Sequence, residues 1–310
     1  MHFSFTAAAL SALVGYSSAH TLVVDLHVNG KNVGDGRSLG GQGTTQYIRS
    51  PPNNNPVKDL KSANLVCNVN GGKAVNDFAS LAAGDKVAFE WFHNTPGDDI
   101  LDPSHKGPVI TYIAPFTEGA GTGPIWTKIG EEGFSNGKWA VDNLIANKGV
   151  SGDVTIPASL KAGKYLIRQE IIALHEADAT FDVNPARGAQ FYPACAQVEI
   201  SGTGSDVPPE NFDFNTGYTF ADPGIKFNLF GADGSTYKIP GPKVWTGGAG
   251  SGSGSAPAPS APASAKPTAT AQPTTLATSV ASATPVATPT GAPDAGCKRR
   301  RSRKARRSAH

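Results

Sequence analysis

His20 is where this chain has the most chemistry within reach. Residues 1–19, MHFSFTAAALSALVGYSSA, form an apolar leader ending in Ser18-Ala19, small residues of the kind signal peptidase accepts. The run is too short to span a membrane, so the expectation is a secreted, extracellular protein whose mature chain starts at His20. An N-terminal histidine brings two metal donors at once, its α-amine and a ring nitrogen. One further histidine completes a T-shaped set of three nitrogens suited to copper. Met1 is the sole methionine, so a copper site in the mature chain is to be built from nitrogen and oxygen.

The elements that must position such a site read as β-structure. Short apolar or alternating runs recur at Thr21–Val28, Lys86–Trp91, Val109–Ala114, Lys164–Ala173 and Ala196–Ser201. Turn clusters separate them, among them Asn29-Gly30, Asn70-Gly71-Gly72, Pro96-Gly97-Asp98 and Asn136-Gly137. No long segment keeps a helical period; the best short helices are Lys58–Leu60 and a turn near Asn143–Asn147. The pattern predicts an all-β fold, an immunoglobulin-like antiparallel β-sandwich with long loops. Its length suits one domain with a sizeable core.

At the end of this body the composition changes abruptly. Residues 248–310 are rich in Gly and Ser, then in Pro, Ala and Thr, and close on a polybasic stretch from Lys298 to Arg307. Such a segment cannot bury enough apolar surface to fold and is expected to be a disordered, O-glycosylated tail. No carbohydrate-binding module is expected on it. Its basic end could attract wall polymers or anionic lipids, or be a solvated charge run with no partner. The charges left in the body are net acidic, which argues against nucleic acid as a partner. Of the three cysteines, Cys67 and Cys195 lie in the body and Cys297 in the tail. A Cys67–Cys195 disulfide would close a long loop, worth roughly 4–5 kcal/mol in the chain-entropy model. Cys297 is then free, paired between molecules, or modified.

Four segments together resemble a known family. They are His20-Thr21; Tyr47-Ile48-Arg49 followed by Asn55-Pro56-Val57; Ser104-His105-Lys106-Gly107-Pro108-Val109; and Gly188-Ala189-Gln190-Phe191-Tyr192-Pro193-Ala194-Cys195. Ile171-Ile172-Ala173-Leu174-His175, Asp222-Pro223-Gly224-Ile225 and Ile239-Pro240-Gly241-Pro242 add to them. The chain is similar to the fungal lytic polysaccharide monooxygenases of auxiliary activity family nine, once classed as glycoside hydrolase family sixty-one. The resemblance implies a copper monooxygenase domain over residues 20–247 that binds one copper ion. His20 and His105 would ligate it, with Tyr192 as the axial residue. Gln190 and His175 would sit behind the metal, hydrogen-bonding the oxidant and placing a proton. The strand alternation agrees, since Gln190 and Tyr192 share a face while Phe191 turns into the core.

The same resemblance implies oxidative cleavage of β-1,4-glucan, cellulose or a hemicellulose, at C1 or C4. Oxygen or hydrogen peroxide would be the oxidant and an external electron donor the reductant, with the protein acting as a monomer. Tyr218 and Tyr237 are the candidate rings for stacking on sugars. His27 and His93 have no matching role and read as structural. Two features depart from the family pattern: Gln169 stands where a histidine is usual, and the loop Glu176–Gly188 is longer than typical. A glycosidase needs paired carboxylates flanking a cleft, and Asp98-Asp99, Asp102 and Glu131-Glu132 lie in turns and loops without that context. The competing reading is a secreted copper-binding protein on the same scaffold without polysaccharide turnover.

Overall fold

A computed structural model describes residues 20–37 and 45–248. The leader 1–19, the tail from residue 249 and Cys297 lie outside the described residues. Eleven strands are described: β1 (Leu22–Val28), β2 (Lys31–Asn32), β3 (Ala79–Ala82), β4 (Lys86–Phe92), β5 (Val109–Pro115), β6 (Thr127–Glu132), β7 (Phe134–Ser135), β8 (Lys138–Trp139), β9 (Val154–Thr155), β10 (Gly163–Ala173) and β11 (Gln190–Ser201). Three short helices accompany them: α1 (Asn64–Cys67), α2 (Ala140–Ala146) and α3 (Phe214–Gly217). One sheet runs β2-β1-β4-β9 and the other β3-β11-β10-β5-β6, with β7 and β8 pairing separately. This is the expected β-sandwich with one difference: β3 pairs parallel to β11.

The inter-sheet core is aliphatic and aromatic. Val23, Leu26, Phe89 and Trp91 of the first sheet meet Ile113, Ile167, Ile171, Tyr192 and Val198 of the second. The second sheet also buries its outer face. Leu65 and Val66 of α1, with Phe212, Phe214, Tyr218, Phe227 and Tyr237 of the C-terminal loops, cover Tyr112, Leu166, Ile172 and Phe191. β10 and β11 are therefore buried along almost their whole length, without the alternation of strands that face water on one side. The Cys67–Cys195 disulfide ties α1 to β11 on that face. Arg49, fully buried, pins three loop carbonyls (Gly71, Thr117 and Gly119) and Gln197 Oε1. The expected helix at Lys58–Leu60 is absent, because Val57 makes a two-way backbone bridge to Phe191 and holds that segment extended.

Candidate metal centre

The site forms where one end of β10 and β11 meets the start of β1. Leu22 pairs with Phe92, and the Thr21 hydroxyl donates to Phe92 O (3.2 Å), which fixes His20 at the sandwich edge. β10 and β11 pair from Gly163–Ile200 through to Ala173–Gln190, so the residues beyond Ala173 and those opening β11 emerge side by side. His175 follows β10, while Gln190 and Tyr192 open β11. The long loop between them closes on itself: Gly188 N–H donates to Glu176 O (2.9 Å), and the Arg187 guanidinium bonds Asp178 (2.9 Å).

The His105 loop docks onto the same end. Leu174 N–H donates to Lys106 O (2.9 Å) and Ile172 N–H to Pro108 O (3.2 Å). Lys106 Nζ reaches Asp142 on α2 at 2.7 Å. Gly107 sits so close to β10 that a Cβ there would lie 1.9 Å from Ile172 O, so only glycine permits this approach.

Three imidazoles and a phenol converge. The His20 ring lies 6.1 Å from that of His105, at 75° to it, and 6.0 Å from that of Tyr192. His105 and Tyr192 are 6.1 Å apart, and His175 lies 4.0 Å from His105. Behind them runs a polar chain. Tyr192 OH donates to Gln190 Oε1 (2.7 Å), and Gln190 Nε2 lies 3.2 Å from His175 Nε2 and 3.0 Å from Glu176 Oε2. Lys58 Nζ reaches the same carboxylate oxygen at 3.4 Å.

Electrostatics keep these rings neutral. Burial, reinforced by His175 nearby, pushes His105 down to about 4. Burial and then the charge of His93 lower His20, and burial lowers His175. Burial, with Glu176 adding to it, pushes the Tyr192 phenol far above its ordinary range, so it stays protonated. His105 Nε2 is buried with no hydrogen-bond partner, a costly arrangement for a ring nitrogen unless something else takes its lone pair. Neutral imidazoles with an unclaimed nitrogen, beside a residue that can supply an amine, fit a nitrogen-rich copper site.

Two expectations need correcting. Tyr218 and Tyr237 are not surface rings for sugars. Tyr218 is 2% exposed, donates to Glu170 Oε1 (2.6 Å) and meets the Tyr112 hydroxyl (2.7 Å); Tyr237 is 8% exposed and donates to Gly224 O (2.8 Å). Both fill the core that covers the outer face of the second sheet. Among the described residues Phe230 is the most exposed aromatic ring, 80% accessible, on a segment linked to the loop after His175 by Phe227 N–H donating to Ala177 O. Sequence reasoning passed over Phe230, Glu176 and Lys58. A glutamate directly after His175 was a readable signal, whereas Lys58 reaches the site only through the Val57–Phe191 bridge.

His27 bonds Glu90 (2.6 Å) on the outer face of the first sheet, away from the converging rings. His93, Asp98 and Asp99 are close enough to share an ion. However, the Asp98 carboxylate already accepts the backbone N–H groups of His93, Asn94, Thr95 and Ile100, as a turn-forming aspartate does. Gln169 is buried between Trp91 Nε1, which donates to its Oε1 (2.8 Å), and the Thr111 hydroxyl (3.0 Å).

The sequence profile of Auxiliary Activity family 9 (formerly GH61) matches residues 20–237. A protein of Collariella virescens named AA9 family lytic polysaccharide monooxygenase A is 54% identical over 248 residues, 78% of this chain and 87% of that one. A Schizophyllum commune protein of the same name is 45% identical, over 77% of this chain and 94% of its own. Among solved structures, CvAA9A superposes with a TM-score of 0.68 at 54% identity, over 73% of this chain and 98% of that one. A cellulose-active polysaccharide monooxygenase from M. thermophila gives 0.60 at 29% identity, over 74% of this chain and all of its own. From the architecture, the residues that meet at the head of β1 and these likenesses together, the chain belongs to Auxiliary Activity family 9.

Proposed function

We propose that this is a secreted copper-dependent lytic polysaccharide monooxygenase that cleaves β-1,4-glucan chains oxidatively. The observation that carries the reading is the convergence of His20 and the orphaned His105 Nε2 beside Tyr192, at the residue where the family match begins. In this reading His20, through its freed α-amine and ring, and His105 would hold the copper, with the Tyr192 hydroxyl beside them. Copper held there would supply one-electron redox chemistry toward oxygen or hydrogen peroxide, with an external donor as reductant and C1 or C4 of a glucose unit as the position oxidised.

The chain's own groups set the conditions for that chemistry. Tyr192 stays protonated and donates its hydroxyl hydrogen bond to Gln190 Oε1, so it offers the site a neutral oxygen and no strong anionic donor. His175, neutral and hydrogen-bonded to Gln190, is the group placed to exchange a proton at the site. Burial of His105 and Tyr192 keeps water from their inner faces. Phe230 gives an apolar platform for a sugar ring, a contact made by aromatic stacking.

The test is to load the mature chain with copper and incubate it with swollen cellulose, with and without ascorbate, then weigh the soluble products by mass spectrometry. Oligosaccharides carrying oxidised ends, formed only with ascorbate, are expected. Copper uptake with no oxidised sugar from cellulose, xyloglucan or xylan would instead make this a copper-binding protein on the same scaffold.

A further inference from the structure

We propose that Glu176 is a positioning residue: its carboxylate fixes the Gln190 amide in one orientation, and that amide dictates where the protons of Tyr192 and His175 reside. The inference deepens the monooxygenase reading and rests on it for its catalytic meaning, but its geometry stands on these side chains alone.

The Gln190 amide has two ways round, differing by exchange of its oxygen and nitrogen. With Nε2 toward Glu176, an N–H meets Oε2 at 3.0 Å. Turned over, the amide would set its oxygen against a carboxylate oxygen at that distance with no proton between them, an unpaired contact in a part-buried site. Lys58 at 3.4 Å from the same oxygen favours the ionised, acceptor-only carboxylate. Burial raises the Glu176 carboxyl, but the Gln190 hydrogen bond and Lys58 outweigh it and leave the group below its ordinary value. One orientation is therefore selected by charge.

Two consequences follow along the chain of bonds. Gln190 Oε1 becomes the acceptor facing Tyr192, so the phenol hydrogen points at Gln190 (2.7 Å) and the hydroxyl oxygen keeps a free lone pair on its other side. Gln190 Nε2 becomes a donor toward His175 Nε2 (3.2 Å), which must accept. A neutral imidazole that accepts at one nitrogen carries its proton on the other, here Nδ1, a buried atom with no hydrogen-bond partner of its own. The His175 Nε2 lone pair is thus engaged by the Gln190 amide. The fixed polarity runs from Glu176 through Gln190 to Tyr192, at a loop that closes at Gly188 N–H to Glu176 O.

Histidine tautomers can be read directly by nitrogen NMR on the metal-free mature chain labelled with ¹⁵N-histidine, at a pH where the imidazoles are neutral, with His175 assigned from a His175→Gln variant. The expected wild-type spectrum shows His175 as one tautomer, protonated at Nδ1. Glu176→Leu removes the acceptor and should change the tautomer ratio by about fivefold or more, the scale of one lost hydrogen bond. Glu176→Gln keeps a carbonyl acceptor and should restore most of the wild-type ratio. Lys58→Met breaks only the ion pair and should leave the ratio nearly unchanged. A wild-type His175 protonated at Nε2 would overturn the proposal even if the leucine variant failed to fold. So would a folded Glu176→Leu chain with the wild-type ratio, or a Lys58→Met chain that shifts as far as Glu176→Leu, which would reduce Glu176 to a loop anchor. Because no copper is present, this pattern can hold even where glucan oxidation fails, and then only the monooxygenase reading falls.

Discussion

Each donor of the proposed centre has its own physical signature. His105 is held neutral by burial with one nitrogen unclaimed, and the Tyr192 phenol is turned toward Gln190. His20 is anchored by the first strand pair beside it. The surface ring is a separate matter, and there the residue type alone misleads. Tyrosine is by type a natural sugar platform, yet Tyr218 and Tyr237 donate their hydroxyls to Glu170 and Gly224 O in the interior. Phe230, with no polar handle to satisfy, is the ring left at the surface. Phe230→Ala is expected to weaken binding to cellulose about three- to tenfold, in line with roughly 0.5–1.5 kcal/mol for an aromatic contact, while leaving copper affinity unchanged. A pull-down isotherm on cellulose paired with a copper titration checks both halves. The metal donors were legible because their motifs sit in short contiguous runs. Lys58 was not, because its role exists only once Val57 pairs with Phe191.

At the level of elements, the site depends on how closely the His105 loop can approach β10. Gly107 is the point of contact, and an added methyl there would collide with the Ile172 carbonyl. Gly107→Ala should therefore push the loop outward, weaken copper binding at least about tenfold and lower the melting temperature, a strain effect of the kind that backbone clashes produce. Calorimetry and copper titration on the same sample read the two effects. Wild-type affinity in that variant would show that the loop is not held by this contact. The strands that build the site were readable as apolar runs, and β10 was placed to within a residue. β11 was read only from Ala196, since Gln190, Tyr192 and Pro193 break its apolar pattern while remaining paired with β10. β6 was missed because Lys128, Glu131 and Glu132 disguise it. Lys128 is in fact buried, its ammonium shared between Glu131 and Pro240 O.

Across the whole body, the fold brings together segments that are remote in sequence. His20 just before β1, a loop before β5 and the ends of β10 and β11 meet at one place. The second sheet is locked between two cores, with Arg168 and Glu170 paired inside it at 2.8 Å. The fold places these rings together, but it cannot supply the α-amine of His20, which exists only if the chain is cut before that residue. The most direct measurement is a copper titration of the chain beginning at His20, beside the same chain carrying one glycine in front of it. The account predicts one equivalent bound by the first, and binding weaker by about a hundredfold or more in the second, because the extension removes a donor and the chelate it closes. Equal affinity in the two would contradict a copper centre built on the start of the chain.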